Sequence, residues 1–191
     1  MRNKSKLRIS FNAPAVLGFA LICVAALLLD LLTAGAANRL LFSVYRSSWL
    51  NPLTYLRCVC HVFGHADWSH LMGNLMYILL LGPMLEEKYG SRNLVIVMLV
   101  TAAATGIFNI LFFPRVMLLG ASGIVFAMIL LSSITATKER TIPLTFLLVA
   151  VLYIGQQILT GVFTADNVSQ MAHIVGGVVG SLFGFILNRR A

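Results

Sequence analysis

"LLGASGIVFAMILL", Leu118 to Leu131, carries no charge and a single hydroxyl, that of Ser122, set between Gly120-Ala121 and Gly123. A helix on the surface of a water-soluble domain needs a polar face, and this stretch has none. Its surroundings decide what solvent it faces. The chain has 191 residues, of which 59% are hydrophobic and only 10% charged, a balance that excludes an ordinary soluble domain and points to an integral membrane protein.

The quoted stretch belongs to an apolar run at 120–137, and comparable runs lie at 14–35, 69–87, 93–113, 142–161 and 169–188. Each is long enough to cross a bilayer as a helix. The expected fold is all-α: a polytopic membrane protein built as a six-transmembrane-helix bundle. A basic N-terminus, 1–13, precedes one membrane domain, 14–189, with no linker rich in Pro, Ser or Gly and no internal repeat. The first run is long and lacks a small-residue cleavage site, so it reads as a span rather than a cleaved signal peptide.

A net charge of +8 could suggest nucleic acid, but its placement follows the spans instead. Arg2, Lys4, Lys6, Arg8, Lys88, Arg92, Lys138, Arg140, Arg189 and Arg190 fall on one side of a six-span chain. Only Arg39, Arg46, Arg57 and Arg115 fall on the other. Ten against four is the positive-inside asymmetry, which predicts cytoplasmic termini and basic residues that serve the lipid bilayer and no nucleic-acid partner; a prokaryotic cell membrane is the expected location. Between the first two spans, residues 36–68 interleave Leu40, Tyr45, Trp49 and Tyr55 with Arg39, Arg46 and Arg57. Aromatic and Arg side chains together suit the headgroup layer, so a structured loop lying partly in the outer leaflet is expected. Cys23, Cys58 and Cys60 read as buried thiols.

Depth links the polar residues. Spans two, four and six descend to basic residues at the inner surface, Lys88, Lys138 and Arg189. Ser122 and His173 each lie 16 residues above their mark, about 24 Å at the helical rise; His70 and Asn74 straddle that level at about 27 and 21 Å. Strongly polar groups inside a membrane are costly and mark function. His70 and Asn74, four residues apart, share one helix face. Gly176, Gly180 and Gly184 form a small-residue stripe below His173, and Gly123 and Ala127 give span four a matching face. Such faces let helices approach closely and would bring His173 within reach of Ser122.

A serine hydroxyl becomes a nucleophile when a base takes its proton, and the oxyanion that follows needs preorganised donors. The Asn74 amide, a His70 ring N–H and the Ser122 backbone N–H at a helix start are candidate donors. No carboxylate shares the layer: Asp166 lies in the loop above span six, and Glu86 and Glu87 lie at the opposite surface. The arrangement is that of a Ser-His dyad, with no metal and no cofactor.

The chain resembles the rhomboid family of intramembrane serine proteases in its minimal six-helix form. The resemblance rests on "FGHADWSHLMGNLMYILLLGPMLEEKYGS" (Phe63 to Ser91), "GASG" (Gly120 to Gly123) and "AHIVGGVVG" (Ala172 to Gly180), in that order. It implies Ser122 as nucleophile, His173 as general base, and His70, Asn74 and the Ser122 N–H as oxyanion hole, with Gly120, Gly123, Phe126, Gly176 and Gly180 in support. By the same resemblance Phe126 sits where an aromatic lies against the catalytic histidine, and His61 and His65 match structural loop histidines. Arg57 matches a loop-one Arg, with Leu56 where Trp is common, and Glu86 with Gly90-Ser91 matches the cytoplasmic end of span two. Ala127 replaces a common Gly. The implied activity is that of a serine endopeptidase cleaving transmembrane protein substrates near the outer leaflet. Span five and "TGVFTADNVSQ" (Thr160 to Gln170), with Phe163 at its tip, form the expected gate. Two other readings compete: a zinc hydrolase using His61, His65 and His70, and a non-catalytic scaffold that binds transmembrane clients.

Overall fold

The structure, a computed structural model, describes residues 10–135, 142–163 and 167–188, with the backbone alone described at 153, 154, 156–163 and 167–169. Its described residues form eight α-helices: α1 (Pro14–Leu32), α2 (Ala36–Leu40), α3 (Pro52–Cys60), α4 (Trp68–Tyr89), α5 (Ser91–Phe112), α6 (Ser122–Ile134), α7 (Leu144–Phe163) and α8 (Asn167–Asn188). Among those residues the sole β pairing is a bridge between Val44 and Leu118. Three segments are long and apolar enough to cross a membrane: Pro14–Leu32, Ser91–Phe112 and Gln170–Asn188. Large hydrophobic side chains such as Leu32, Leu80, Leu99 and Leu152 are exposed on the outside of the bundle, as a protein solvated by lipid tails requires.

The short helix α6 is the axis of the bundle. Gly123, Ile124, Val125, Ala127, Met128, Leu130, Leu131 and Ile134 are all buried, so it is apolar and enclosed around its circumference. Its Ile124, Met128 and Leu131 join Val16 and Phe19 of α1, Leu71 and Ile78 of α4, and Leu94 and Val97 of α5 in one core. At the lower end, Tyr89 Oη donates to Asn188 Oδ1 at 3.0 Å, and Asn188 Nδ2 donates to the Ile134 carbonyl. The ends of α4, α6 and α8 are thereby tied together.

Local chemistry sets the boundaries, which depart from the hydropathy spans. The first span, expected at 14–35, stops at Leu32 because Ala34 (φ 49°) and Gly35 (φ 84°) turn the chain into α2. The second extends beyond 69–87 at both ends, to Trp68–Tyr89, and the third, expected at 93–113, starts earlier and stops sooner, at Ser91–Phe112, with the single residue Gly90 (φ 80°) between them. That positive φ favours glycine, and the Gly90 N–H closes α4 on the Glu86 carbonyl at 2.8 Å. The fourth begins at Ser122 rather than 120, since Gly120 has φ 123° and is not helical. Phe163, expected at a loop tip, is the last residue of α7. The following 164–166 segment and the basic residues Arg2, Lys4, Lys6, Arg8, Lys138, Arg140, Arg189 and Arg190 lie outside the described residues.

Residues 36–68 form a folded cap, and they hold the loop that leads into Ser122. Val44 and Leu118 exchange both backbone hydrogen bonds, at 2.8 and 2.9 Å. The buried Asn109 amide of α5 donates to the Val44 and Val116 carbonyls, both at 3.1 Å. Gly120 N donates to the His61 carbonyl at 2.9 Å. Arg57, buried in the cap, donates from Nε to the Leu40 carbonyl at 2.8 Å and lies 4.6 Å from the Tyr45 ring centroid.

Candidate active site

Ser122 is the first residue of α6 and is half-buried. The first intrahelical bond runs from Val125 N to the Ala121 carbonyl at 3.0 Å, so the amides of residues 122–124 belong to the helix N-terminus, where N–H groups face away from the helix and favour negative charge. Two residues earlier, Gly120 makes a turn that only glycine fits. Its φ of 123° disfavours any side chain, and a Cβ there would stand 2.8 Å from both Cε1 and Nε2 of His70. The imidazole of His70 therefore lies directly on the backbone that delivers Ser122.

His70 is fixed from α4. Asp67 caps that helix, accepting from His70 N at 2.7 Å, and His70 Nδ1 faces the Ala66 N–H at 3.5 Å. A ring nitrogen that accepts from an amide leaves the proton on the other, so Nε2–H is the donor facing Gly120.

One turn on, Asn74 is buried at 7% exposure. Its Nδ2 lies 3.1 Å from His65 Nε2 and 3.9 Å from the position of a Cβ on Gly120. The His65 ring is itself oriented, with Nδ1 3.1 Å from the Phe63 carbonyl. It meets the His70 ring edge-on with centroids 5.0 Å apart. Desolvation, with the neighbouring His70 charge, lowers the His65 pKa to about 4 against the opposing pull of the Phe63 carbonyl and Asp67. His65 is neutral at physiological pH, with Nδ1–H donating to Phe63 and Nε2 accepting from Asn74.

The other wall comes from α8. Gly176 and Gly180 lie against the carbonyls of Gly123 and Ala127, with no room for a Cβ at either glycine. A Cβ on Gly123 would reach 3.5 Å from the Ala172 carbonyl, next to His173. The half-buried His173 ring packs on the half-buried Phe126 ring at 4.4 Å between centroids. His173 and Ser122 thus sit at the same end of the glycine-lined contact between α6 and α8. His70, Asn74 and Gly120 gather on one side of Ser122; Gly123, Phe126, Gly176, Gly180 and His173 line the α6–α8 side.

His61 and His65 are committed to protein partners. The fully buried His61 has Nδ1 3.2 Å from the Arg57 carbonyl and Nε2 3.2 Å from Thr105 Oγ1, and burial lowers its pKa to about 4. Their lone pairs do not converge, and among the described residues no three His, Cys, Asp or Glu side chains form a metal-binding group. All three cysteines are free; Cys23 and Cys58 are buried, while Cys60, expected buried, is only partly so.

Among the supporting contacts that sequence reasoning missed is the Asp30–Asn38 pair. Asp30, near the end of α1, accepts from Asn38 N and Nδ2, both at 2.7 Å. Asn38 Nδ2 also donates to the His65 carbonyl at 3.0 Å. A lone carboxylate in the apolar run Leu27–Leu32 was the available signal.

Comparison with known proteins identifies the family. A family profile described as the Rhomboid domain matches residues 52–190. The chain is 28% identical over 187 residues to the rhomboid protease GlpG of Yersinia pestis, covering 90% of this chain and 62% of that protein. It is 29% identical over 140 residues to rhomboid-related protein 1 of Caenorhabditis elegans, covering 69% and 39%. It is 24% identical over 145 residues to the chloroplastic rhomboid-like protein 11 of Arabidopsis thaliana, covering 69% and 52%. The chain thus spans less than two thirds of the length of these relatives. A profile match from the cap helix α3 to the end of the chain, over the segments that carry His70, Asn74, Ser122 and His173, shows that this membrane protein belongs to the rhomboid family.

Proposed function

We propose that the chain is an intramembrane serine endopeptidase that cleaves transmembrane protein substrates near the outer leaflet. One observation carries the reading: Ser122 opens a buried helix, with His173 beside it across a glycine contact and His70 and Asn74 against the turn that precedes it. In this mechanism His173 takes the Ser122 proton as the hydroxyl attacks the scissile carbonyl. Negative charge then develops on the carbonyl oxygen, where His70 Nε2–H, an Asn74 N–H and the helix-terminal amide of Ser122 donate to it. His173 returns the proton to the leaving amine, and water repeats the sequence on the acyl-enzyme.

The chain crosses the bilayer six times, as α1, α4, α5, α6, α7 and α8, in a prokaryotic cell membrane. The ten-to-four basic asymmetry puts both termini in the cytoplasm, so the Ser122 end of α6 faces the outside. Substrate and water reach it past α7 and the segment that follows. No metal or other cofactor takes part.

A fluorophosphonate probe tests the reading. Labelling and cleavage of a reconstituted transmembrane substrate are expected in the parent chain and lost in Ser122→Ala and His173→Ala, with losses that do not add because the pair acts as a unit. Activity that survives Ser122→Ala and falls with a zinc chelator would favour a metallohydrolase. A folded parent chain that neither labels nor cleaves would favour a client-binding scaffold.

A further inference from the structure

His65 is held from several sides close to the site. Its carbonyl is held by Asn38 Nδ2 at 3.0 Å, its Nδ1 by the Phe63 carbonyl at 3.1 Å, and its ring is fully buried. The remaining ring nitrogen, Nε2, meets one group among the described residues, the Asn74 amide at 3.1 Å.

That contact has a definite polarity. A carbonyl oxygen can only accept, so Nδ1 beside Phe63 carries the ring proton. A second proton on Nε2 would make a buried imidazolium, which burial opposes. Nε2 is therefore a lone pair, and the Asn74 atom facing it must be nitrogen rather than oxygen. An amide group has two N–H bonds fixed in one plane. When His65 takes one, the direction of the other is set, and the Gly120 turn lies next to Nδ2.

We propose that His65 is a positioning residue of the oxyanion hole: its Nε2 lone pair holds one N–H of Asn74 so that the other is aimed at the oxyanion formed beside Ser122. The role rests on the protease reading given above and deepens it. Without that acceptor the Asn74 amide loses its anchor and gains the freedom to turn its oxygen, an acceptor, toward the developing anion. Preorganised donors stabilise a transition state because they need no reorientation during reaction. The loss therefore falls on kcat and leaves substrate binding nearly untouched.

Steady-state cleavage of a transmembrane substrate by the purified 191-residue chain tests this, using His65→Leu, His65→Gln, Asn74→Ala, the His65→Leu/Asn74→Ala double variant, and Ser122→Ala. His65→Leu should lower kcat roughly 10- to 100-fold with KM nearly constant, short of the about 10²–10³ lost when a donor is removed outright. His65→Gln, whose Oε1 can replace the Nε2 lone pair, should recover most of kcat, and the double variant should be no worse than Asn74→Ala. Wild-type kcat in His65→Leu, or losses that add in the double variant, would overturn the positioning role. Undiminished turnover in Ser122→Ala would overturn the protease site itself, a separate outcome. Where His65 variants fail to fold, the ring nitrogens of ¹⁵N-histidine-labelled parent chain give the answer. The Nδ1–H tautomer is expected for His65, with an Nε2 resonance that shifts in Asn74→Ala; an Nε2–H tautomer would refute the proposal.

Discussion

The α-carbon of Gly176 lies against the carbonyl of Gly123, so close that a methyl group at 176 would occupy the space of that backbone oxygen. One turn further down, Gly180 meets Ala127 in the same way. Backbone cannot swing aside as a side chain can, so Gly176→Ala must push α8 away from α6. Overpacking of this kind costs about 1–3 kcal/mol. Because His173 lies one turn above Gly176, the same displacement should move the proposed base away from Ser122. Gly176→Ala is expected to lower the thermal midpoint in detergent and to lose more turnover than the unfolded fraction explains. Gly18→Ala serves as the control, since a Cβ there meets nothing within 4 Å. A Gly176→Ala protein as stable and active as the parent would contradict the contact.

Glu86 ties the far end of the molecule together. Its carboxylate is 5% exposed and accepts from Ala15 N at 2.9 Å and Val16 N at 3.0 Å, the opening amides of α1, and from Ser91 Oγ at 2.6 Å. In Glu86→Gln an NH2 donor replaces one oxygen and at either position faces a backbone N–H, that of Ala15 or of Val16. A buried donor left without an acceptor costs about 1–3 kcal/mol. The expected result is a lower unfolding midpoint with unchanged cleavage per folded molecule, since Glu86 is on the opposite side of the bundle from Ser122. An activity loss without destabilisation would show that Glu86 has another task.

The buried loop histidines give stability a pH dependence with a definite sign. His61 and His65 have folded pKa values lowered to about 4 from 6.5, chiefly by desolvation. Above pH 6.5 neither the folded nor the unfolded chain binds these protons, so their contribution is fully present. As pH falls from 6.5 toward 4 the unfolded chain takes up protons that the folded one refuses, and stability is lost. Each histidine contributes on the order of 3 kcal/mol to that decline. Thermal midpoints measured from pH 7.5 to 5 should fall, and His61→Gln should flatten the slope relative to the parent. Identical slopes would mean that His61 titrates freely.

Sequence and structure agree where a residue's role follows from its own helix. Gly176, Gly180, Gly123 and Ala127 are legible as a packing seam because helical periodicity alone places them on one face. Helix ends were less legible, because hydropathy cannot register a backbone turn: Ala34 and Gly35 look as apolar as a helix interior, yet their positive φ ends α1. Long-range polar contacts were the least legible. The Asp30–Asn38 pair, the grip of Asn109 on the loop before Ser122 and the hold of His65 on Asn74 join segments whose register only the folded chain fixes. The sequence could name His65 as a loop histidine, but not which of its nitrogens faces Asn74.

Gly120 concentrates the site's geometric demands in one residue, which makes its substitution informative. Its φ of 123° lies where an L side chain is strained, and the volume a Cβ would take is filled by the His70 ring. Gly120→Ala must therefore either change the backbone that delivers Ser122 or displace the ring whose Nε2–H faces that turn. The Gly120 N–H bond to the His61 carbonyl, at 2.9 Å, resists the first, so the ring is expected to move. Losing one oxyanion donor typically costs about 10²–10³ in kcat, and Gly120→Ala should approach that loss with KM little changed. His70→Ala should lose a similar amount, and the double variant no more than either alone, because both changes remove the same proposed donor. Losses that multiply in the double variant would show that Gly120 acts through the position of Ser122 and not through His70.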